Sequence, residues 1–224
     1  MQTSRLRQMG AIMAIIKSVV NRLRHPVGAA GLALAVTAMA YTGYANIAGN
    51  AQAPSAFSGL TLTDDKGRDF DFASLSGRPV AVFFGFTHCP DVCPMTLHRL
   101  GFLRQKIGPE FDRIKIVFVS LDPKRDTPEV LKNYMEGQPV RVTGLTGTEA
   151  DIAKMAKRFD VFHEVIRVPG QDYTIDHTAS IFLVDKKGRR SGEITMDADE
   201  SEYEKKLRQL LQGSTNFDPK NQIS

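Results

Sequence analysis

Cys89 and Cys93 are the two cysteines of this chain, four positions apart in "HCPDVCP", residues 88–94, directly after an apolar run. Thiols so placed can form a structural disulfide, act as a redox couple, or hold a metal ion. A structural disulfide here would close a loop of only a few residues and remove little entropy from the unfolded chain. A chain of 224 residues, 42% of them hydrophobic, also buries enough core without a staple. Thioredoxin-type redox sites use C-x-x-C, whereas this spacing is C-x-x-x-C. "HTA" (177–179) also stands where those proteins carry a proline ahead of a late strand. A metal site suits the residue types: soft thiolates select Cu(I) and also accept Zn. Structural zinc closes a four-ligand tetrahedron, while copper manages with two or three ligands.

Further ligands would have to come from five histidines. His25 belongs to the N-terminal segment, away from the cysteines. His88 adjoins Cys89, and adjacent positions point apart. His98 falls on the helix after the cysteines, and His163 in an alternating strand. His177 differs, because "DYTIDHTAS" leads directly into a buried strand expected to lie beside the one that ends at the cysteines.

The elements that position these groups follow from hydrophobic period and turn chemistry. "GLTLTDDKGRDFDF" alternates around a turn and predicts a hairpin. "PVAVFFGF" (79–86) and "IKIVFVSLD" (114–122) are continuous apolar runs, as strands buried on both faces require. Leu97, Leu100, Leu103 and Ile107 share a helix face that Gly108 closes. "TPEVLKNYMEG" and "TEADIAKMAKRFD" are helices capped by Thr127 and Thr148, the first with Pro at its opening position. "FHEVIRVPGQDYTIDH" reads as strand, turn at Pro169-Gly170 and return, and "ASIFLVDKKGRRSGEIT" as a second such pair. "DADESEYEKKLRQLL" is a final helix with an acidic start and a basic end, matching its macrodipole. The order, roughly ββαβαβαββα, predicts an α/β fold of thioredoxin-like layout, a central mixed sheet flanked by helices. The cysteines then lie between a strand's carboxyl end and a helix start. Open α/β sheets place sites there, and the helix N-terminus favours thiolate.

Charge separates the chain into parts. Residues 1–50 hold five basic residues (Arg5, Arg7, Lys17, Arg22, Arg24) and no acid, while 51–224 hold 24 basic against 25 acidic residues. The near-neutral remainder gives no electrostatic reason to expect nucleic acid. Residues 27–48 run 22 positions without a charge; a bilayer core needs about 20 apolar residues as a helix. Basic residues ahead of that run, and none just after it, place the N-terminus inside and the remainder outside. A cleaved signal segment is the rival reading, with Ala38-Met39-Ala40 as a small-residue cleavage site. The division expected is a basic cytoplasmic N-terminus (1–26), a transmembrane anchor (27–48), a tether (49–58), a folded domain (59–212) and a flexible C-terminus (213–224). A single-pass protein of a bacterial inner membrane, its domain in the periplasm, fits this pattern.

"GFTHCPDVCP", "SLDPKRDTPE" and "DYTIDHT", in that order, resemble the SCO/SenC family of copper-binding proteins, which assemble the copper centre of cytochrome c oxidase. The resemblance covers about residues 58–212. It implies a thioredoxin-like fold with copper, as Cu(I) and also Cu(II), held by Cys89, Cys93 and His177. It implies the copper-binding subunit of cytochrome c oxidase as the partner, without naming the donor that loads the chain. It implies a chaperone rather than an enzyme; the alternative is a thiol-disulfide oxidoreductase that reduces the acceptor's cysteines through the same pair. Asp122 and Asp126 also match family positions. Asp126 and Thr127 read first as helix-entry residues, Asp122 as a residue that positions the site or a partner, and Asp91 as a solvated turn residue or a contact near the site.

Overall fold

The structure is a computed structural model, and it describes residues 56–167, 169–170 and 172–213. The expected anchor and most of the tether and C-terminal segment lie outside the described residues. Among the described residues no helix is long and apolar enough to cross a membrane.

Among the described residues, eight strands and four α-helices follow one another: β1 (Thr63–Asp64), β2 (Val80–Gly85), α1 (Val92–Ile107), β3 (Lys115–Ser120), α2 (Pro128–Glu136), β4 (Val142–Thr146), α3 (Glu149–Arg158), β5 (His163–Ile166), β6 (Thr174–His177), β7 (Ile181–Val184), β8 (Arg190–Ile194) and α4 (Glu200–Gln212). Six strands form one sheet in the order β1-β4-β3-β2-β7-β8, and β5 and β6 form a separate two-stranded ribbon. β2, β3 and β4 run parallel, whereas β7 pairs antiparallel with β2, Phe83 opposite Ile181. The α/β class, mixed sheet and flanking helices agree with the sequence reading, as does the strand after His177 lying beside β2. The late part of the chain is richer than expected, because the β5–β6 ribbon is additional to the sheet rather than part of it.

The period of two assigns the strand residues to faces. Ala81 and Phe83 point into a core with Leu97, Leu100, Leu103, Leu131, Met135, Tyr203 and Leu207, under α1, α2 and α4. Val80, Val82 and Phe84 point into the opposite core with Phe159, Met155 and Ile175, under α3 and the ribbon. All six residues of β2 are buried, as a strand covered on both faces must be. Packing begins at Phe57, whose ring stacks on Phe72 at 5.4 Å.

Thr127, Thr148 and Asp199 cap α2, α3 and α4 by accepting from backbone N–H groups in the first turn. The basic residues of α4 do not sit in its last turn. Lys206 and Arg208 lie one turn beyond Glu202 and Glu204 and pair with them at 2.7 and 2.9 Å, so local ion pairs rather than the macrodipole account for the pattern. "DDKGR" and "DKKGR" make the same turn twice. Asp64 accepts from the N–H groups of Lys66 and Arg68, and Asp185 from those of Lys187 and Arg189.

Candidate metal centre

β2 ends at Gly85, the chain turns through Phe86–Asp91, and α1 starts at Val92. Both cysteines therefore lie at a strand's carboxyl end, with Cys93 already in the first turn of α1 and Pro94 behind it, where its missing N–H is not needed. Cys93 is fully buried, and Cys89 is half-buried against both cores. The Cys93 N–H donates to Cys89 Sγ at 3.4 Å. His177, the last residue of β6, closes the group: its ring nitrogen and the two sulfurs all lie within 4.8 Å of one another. Among the described residues this is the one cluster of three His, Cys, Asp or Glu side chains arranged to hold a metal ion.

The histidine is oriented for that role. Its Nδ1 lies 3.0 Å from the Thr178 carbonyl oxygen; a carbonyl can only accept, so Nδ1 carries the proton and Nε2 keeps its lone pair for a ligand. Phe86 packs edge-on against the imidazole at 6.0 Å. The other described histidines stay apart. His98 is exposed on α1, and exposed His88 contacts Thr87 Oγ1 at 3.1 Å. His163 pairs with His177 across the ribbon but is not among the three clustered ligands.

The two thiols are unequal. The hydrogen bond from Cys93, opposed by desolvation and helped by His177 and the N–H groups of Asp91 and Cys93, brings the Cys89 thiol down from the ordinary range to about 4. The same hydrogen bond, with burial and the charge on Cys89, pushes Cys93 well above the ordinary range. The thiol at the site's mouth thus ionises first, and a cation held between both sulfurs would have to replace the Cys93 proton.

Three supports were not legible as site residues. Gly85 is the first: a Cβ there would lie 2.6 Å from Cys93 Sγ and 2.9 Å from the Phe118 ring, so glycine leaves the space that the sulfur fills. Asp126 is the second, fully buried rather than capping α2. It accepts from Thr87 N–H at 3.0 Å, Thr87 Oγ1 at 2.6 Å and Ser120 Oγ at 2.6 Å, which fastens the start of the cysteine loop to the end of β3. Arg125 is the third. It pairs with buried Asp122, donates to Asp172 and to the Tyr173 carbonyl at 3.0 Å, and lies 3.7 Å over the Tyr173 ring. The Tyr173 hydroxyl donates to Asp122 at 2.7 Å. Asp122 thus anchors the strand that carries His177, a positioning role, whereas exposed Asp91 makes no side-chain capping bond to α1.

A donor set of two thiolates and one imidazole suits Cu(I), and relatives of the chain are consistent with that chemistry. The SCO1/SenC family model matches residues 48–212. The mitochondrial protein SCO2 of Saccharomyces cerevisiae is 36% identical over 157 residues, 68% of this chain and 52% of the yeast protein. An SCO2-like protein of Rickettsia prowazekii is 38% identical over 130 residues, 57% of this chain and 63% of its own length. The chain thus spans between half and two thirds of these two relatives. Among solved structures, copper-bound ScoI of Bradyrhizobium japonicum superposes with a TM-score of 0.61 at 36% identity, covering 67% of this chain and 96% of that one. Copper-bound Sco1 of yeast superposes with a TM-score of 0.62 at 28% identity, covering 74% and 93%. A family-model match over residues 48–212, most of the sequence, means that the chain belongs to the SCO1/SenC family.

Proposed function

We propose that this chain is a copper carrier that binds Cu(I) through Cys89, Cys93 and His177, can also hold Cu(II), and passes the ion to the copper-binding subunit of cytochrome c oxidase. The observation that carries the reading is the meeting of the three donor atoms within 4.8 Å, with the imidazole's free nitrogen available beside the sulfurs. Relatives solved with copper bound support it. Three ligands leave the ion open on one side, so an acceptor's thiolate enters before the first set leaves, and transfer needs no free ion. In this reading residues 27–48 anchor the protein in a bacterial inner membrane, 49–58 tether it, and the domain works in the periplasm beside a membrane-bound acceptor.

The test is an anaerobic Cu(I) titration of the reduced full-length chain against a competing chelator, with His177→Ala alongside. One tight equivalent, weakened at least about tenfold in the variant as loss of a ligand demands, is the expected result. No copper retained against the chelator, or an unaffected variant, overturns it.

The inequality of the thiols favours a second reading. A half-buried Cys89 with a thiol brought down to about 4 and a buried partner behind it is the arrangement by which a dithiol attacks and then resolves a disulfide. A reductase acting on the acceptor's cysteines would tolerate His177→Ala, whereas copper transfer would not.

A further inference from the structure

The sheet has a second edge. Strands β2, β3 and β4 run parallel, so their carboxyl ends lie together on the side of the cysteine loop and their amino ends lie together on the opposite side. A basic residue opens each strand at that amino edge: Arg78 two positions before β2, Lys115 as the first residue of β3, and Arg141 directly before β4. All three line a cavity of about 600 Å³. The other charged groups of its lining are engaged elsewhere. Arg104 holds both oxygens of Asp112, at 2.6 and 2.9 Å, and Glu136 lies 4.0 Å from Lys132. Arg78, Lys115 and Arg141 form no ion pair among the described residues. Lys115 is half-buried. Burial, then the charge of Arg78, holds its ammonium below the usual lysine range; Arg141 and Lys66 add to the effect and Asp65 opposes it. Residues 51–224 hold 24 basic and 25 acidic residues, so composition does not force three cations together. An anion seated among them would relieve their repulsion, and two guanidinium forks with an ammonium are donors that suit a phosphate group.

The path of the chain selects the source of that phosphate. β7 runs antiparallel to β2, so the β7–β8 turn comes to the same amino edge. In that turn the Lys186 carbonyl accepts from the Gly77 N–H at 3.1 Å, and the Gly188 carbonyl accepts from the Ala56 N–H at 2.7 Å. Lys186 and Lys187 are exposed there. The chain therefore enters the domain at its basic edge. Residue 56 follows residue 48, the end of the uncharged run, by eight positions, a reach of at most about 29 Å when fully extended. With residues 27–48 as the anchor, the basic edge stays within that reach of the lipid headgroups.

We propose that the amino edge of the sheet docks on an anionic phospholipid surface, with lipid phosphates entering the cavity of Arg78, Lys115 and Arg141. This rests on the anchor reading above. Each cation held near an anionic bilayer contributes about fivefold to binding at low salt. Docking by this edge turns the cysteine loop and His177 away from the bilayer, so copper is presented to an acceptor domain that projects from the membrane rather than to its surface.

The experiment places the full-length chain in nanodiscs of phosphatidylcholine, with or without phosphatidylglycerol, each carrying a trace of lipid with a nitroxide headgroup. Methyl NMR then compares Met135, which lines the cavity, with Met95, two residues after Cys93 at the copper edge. Met135 is expected to broaden more than Met95 in the phosphatidylglycerol discs. The difference should disappear in neutral discs and at high salt, which screens surface charge. Arg78→Gln, Lys115→Gln and Arg141→Gln combined should abolish it, since three contributions of about fivefold make about 100-fold. Lys124→Gln, past the carboxyl end of β3, should keep it. The triple variant should hold Cu(I) against a chelator as the parent does, which separates this outcome from the copper reading. Equal broadening of both methyls in the anionic discs, or a triple variant that behaves like the parent, would overturn the docking. A Met135 signal that shifts with inorganic phosphate in neutral discs, without approach to phosphatidylglycerol, would assign the cavity to a soluble anion and also overturn it. A chain that separates from both kinds of disc on gel filtration would overturn the anchor and the docking together.

Discussion

Replacing Gly85 with alanine tests whether the copper site depends on an empty space. The added methyl would stand 2.6 Å from Cys93 Sγ and 2.9 Å from Phe118, against ordinary carbon contacts of about 3.5–4.0 Å. One or both must retreat by about 1 Å. Phe118 is fully buried and Cys93 is fixed in the first turn of α1, so neither has an easy exit. Overpacking of this kind costs about 1–3 kcal/mol, partly offset by about 0.4–1 kcal/mol from the stiffer unfolded chain. In urea, with a slope of about 1–3 kcal/mol per molar, the midpoint of the reduced, metal-free protein should fall by a few tenths of a molar to about 1 M. Copper responds more sharply, because ligand distances tolerate only about 0.2 Å. A sulfur moved by several times that should lose at least about 100-fold in Cu(I) affinity, measured by chelator competition. Gly137→Ala is the matched control, since its new methyl meets nothing nearer than 3.6 Å. If Gly85→Ala binds copper like the parent, the argument from space is wrong.

Other outcomes follow from the same contacts. Asp126→Ala leaves one buried and two part-buried donors without their acceptor and should destabilise by at least about 1–3 kcal/mol, the cost of one unsatisfied buried group, with Asp126→Asn intermediate because it keeps one acceptor oxygen; denaturant midpoints decide. Arg125→Met leaves the Asp122 carboxylate without its cation, so the amides of β6 should lose protection from hydrogen exchange and Cu(I) affinity should fall, while those of β3 change little. In the reduced, metal-free chain, a thiol brought down to about 4 predicts that Cys89 is the nucleophile above that pH and becomes unreactive as pH falls through it. Mass spectrometry after iodoacetamide should find Cys89 alkylated at pH 6 and Cys93, whose thiol is pushed up and buried, intact.

Elements with a strong hydrophobic period were legible in the sequence. Val80–Gly85 and Lys115–Ser120 carry their burial in their composition, and the buried face of α1 was read residue by residue. Cys89 and Cys93 stood out because thiols announce their chemistry, and His177 because β7 was expected beside β2; the resemblance to the SCO/SenC family is what joined the three into one ligand set. What was missed depends on tertiary neighbours. Gly85 looks like one more small residue in an apolar run until a sulfur is placed against it. Asp126 precedes a Thr-Pro helix start and reads as part of the cap, yet its donors come from β3 and the cysteine loop. Arg125 looks like a surface residue, and nothing in its local sequence reveals an aromatic stack. The separation of β5 and β6 from the main sheet was also hidden, since a hairpin's alternation does not say which edge it joins.

The division of the ligands between one short loop and a distant ribbon has a thermodynamic consequence for copper and folding. The two sulfurs belong to consecutive turns of chain, so an unfolded molecule still presents them as a two-toothed chelate. His177 reaches them only through β6 and its anchor on Asp122. A ligand stabilises the native state only by its preference over the denatured one. The gain in melting temperature on adding Cu(I) therefore measures the imidazole's share of the affinity and the pre-set geometry, not the whole of it. A protein that binds copper very tightly would gain only modest heat resistance from it, and a nascent or damaged chain would keep its grip on the ion before it has a fold.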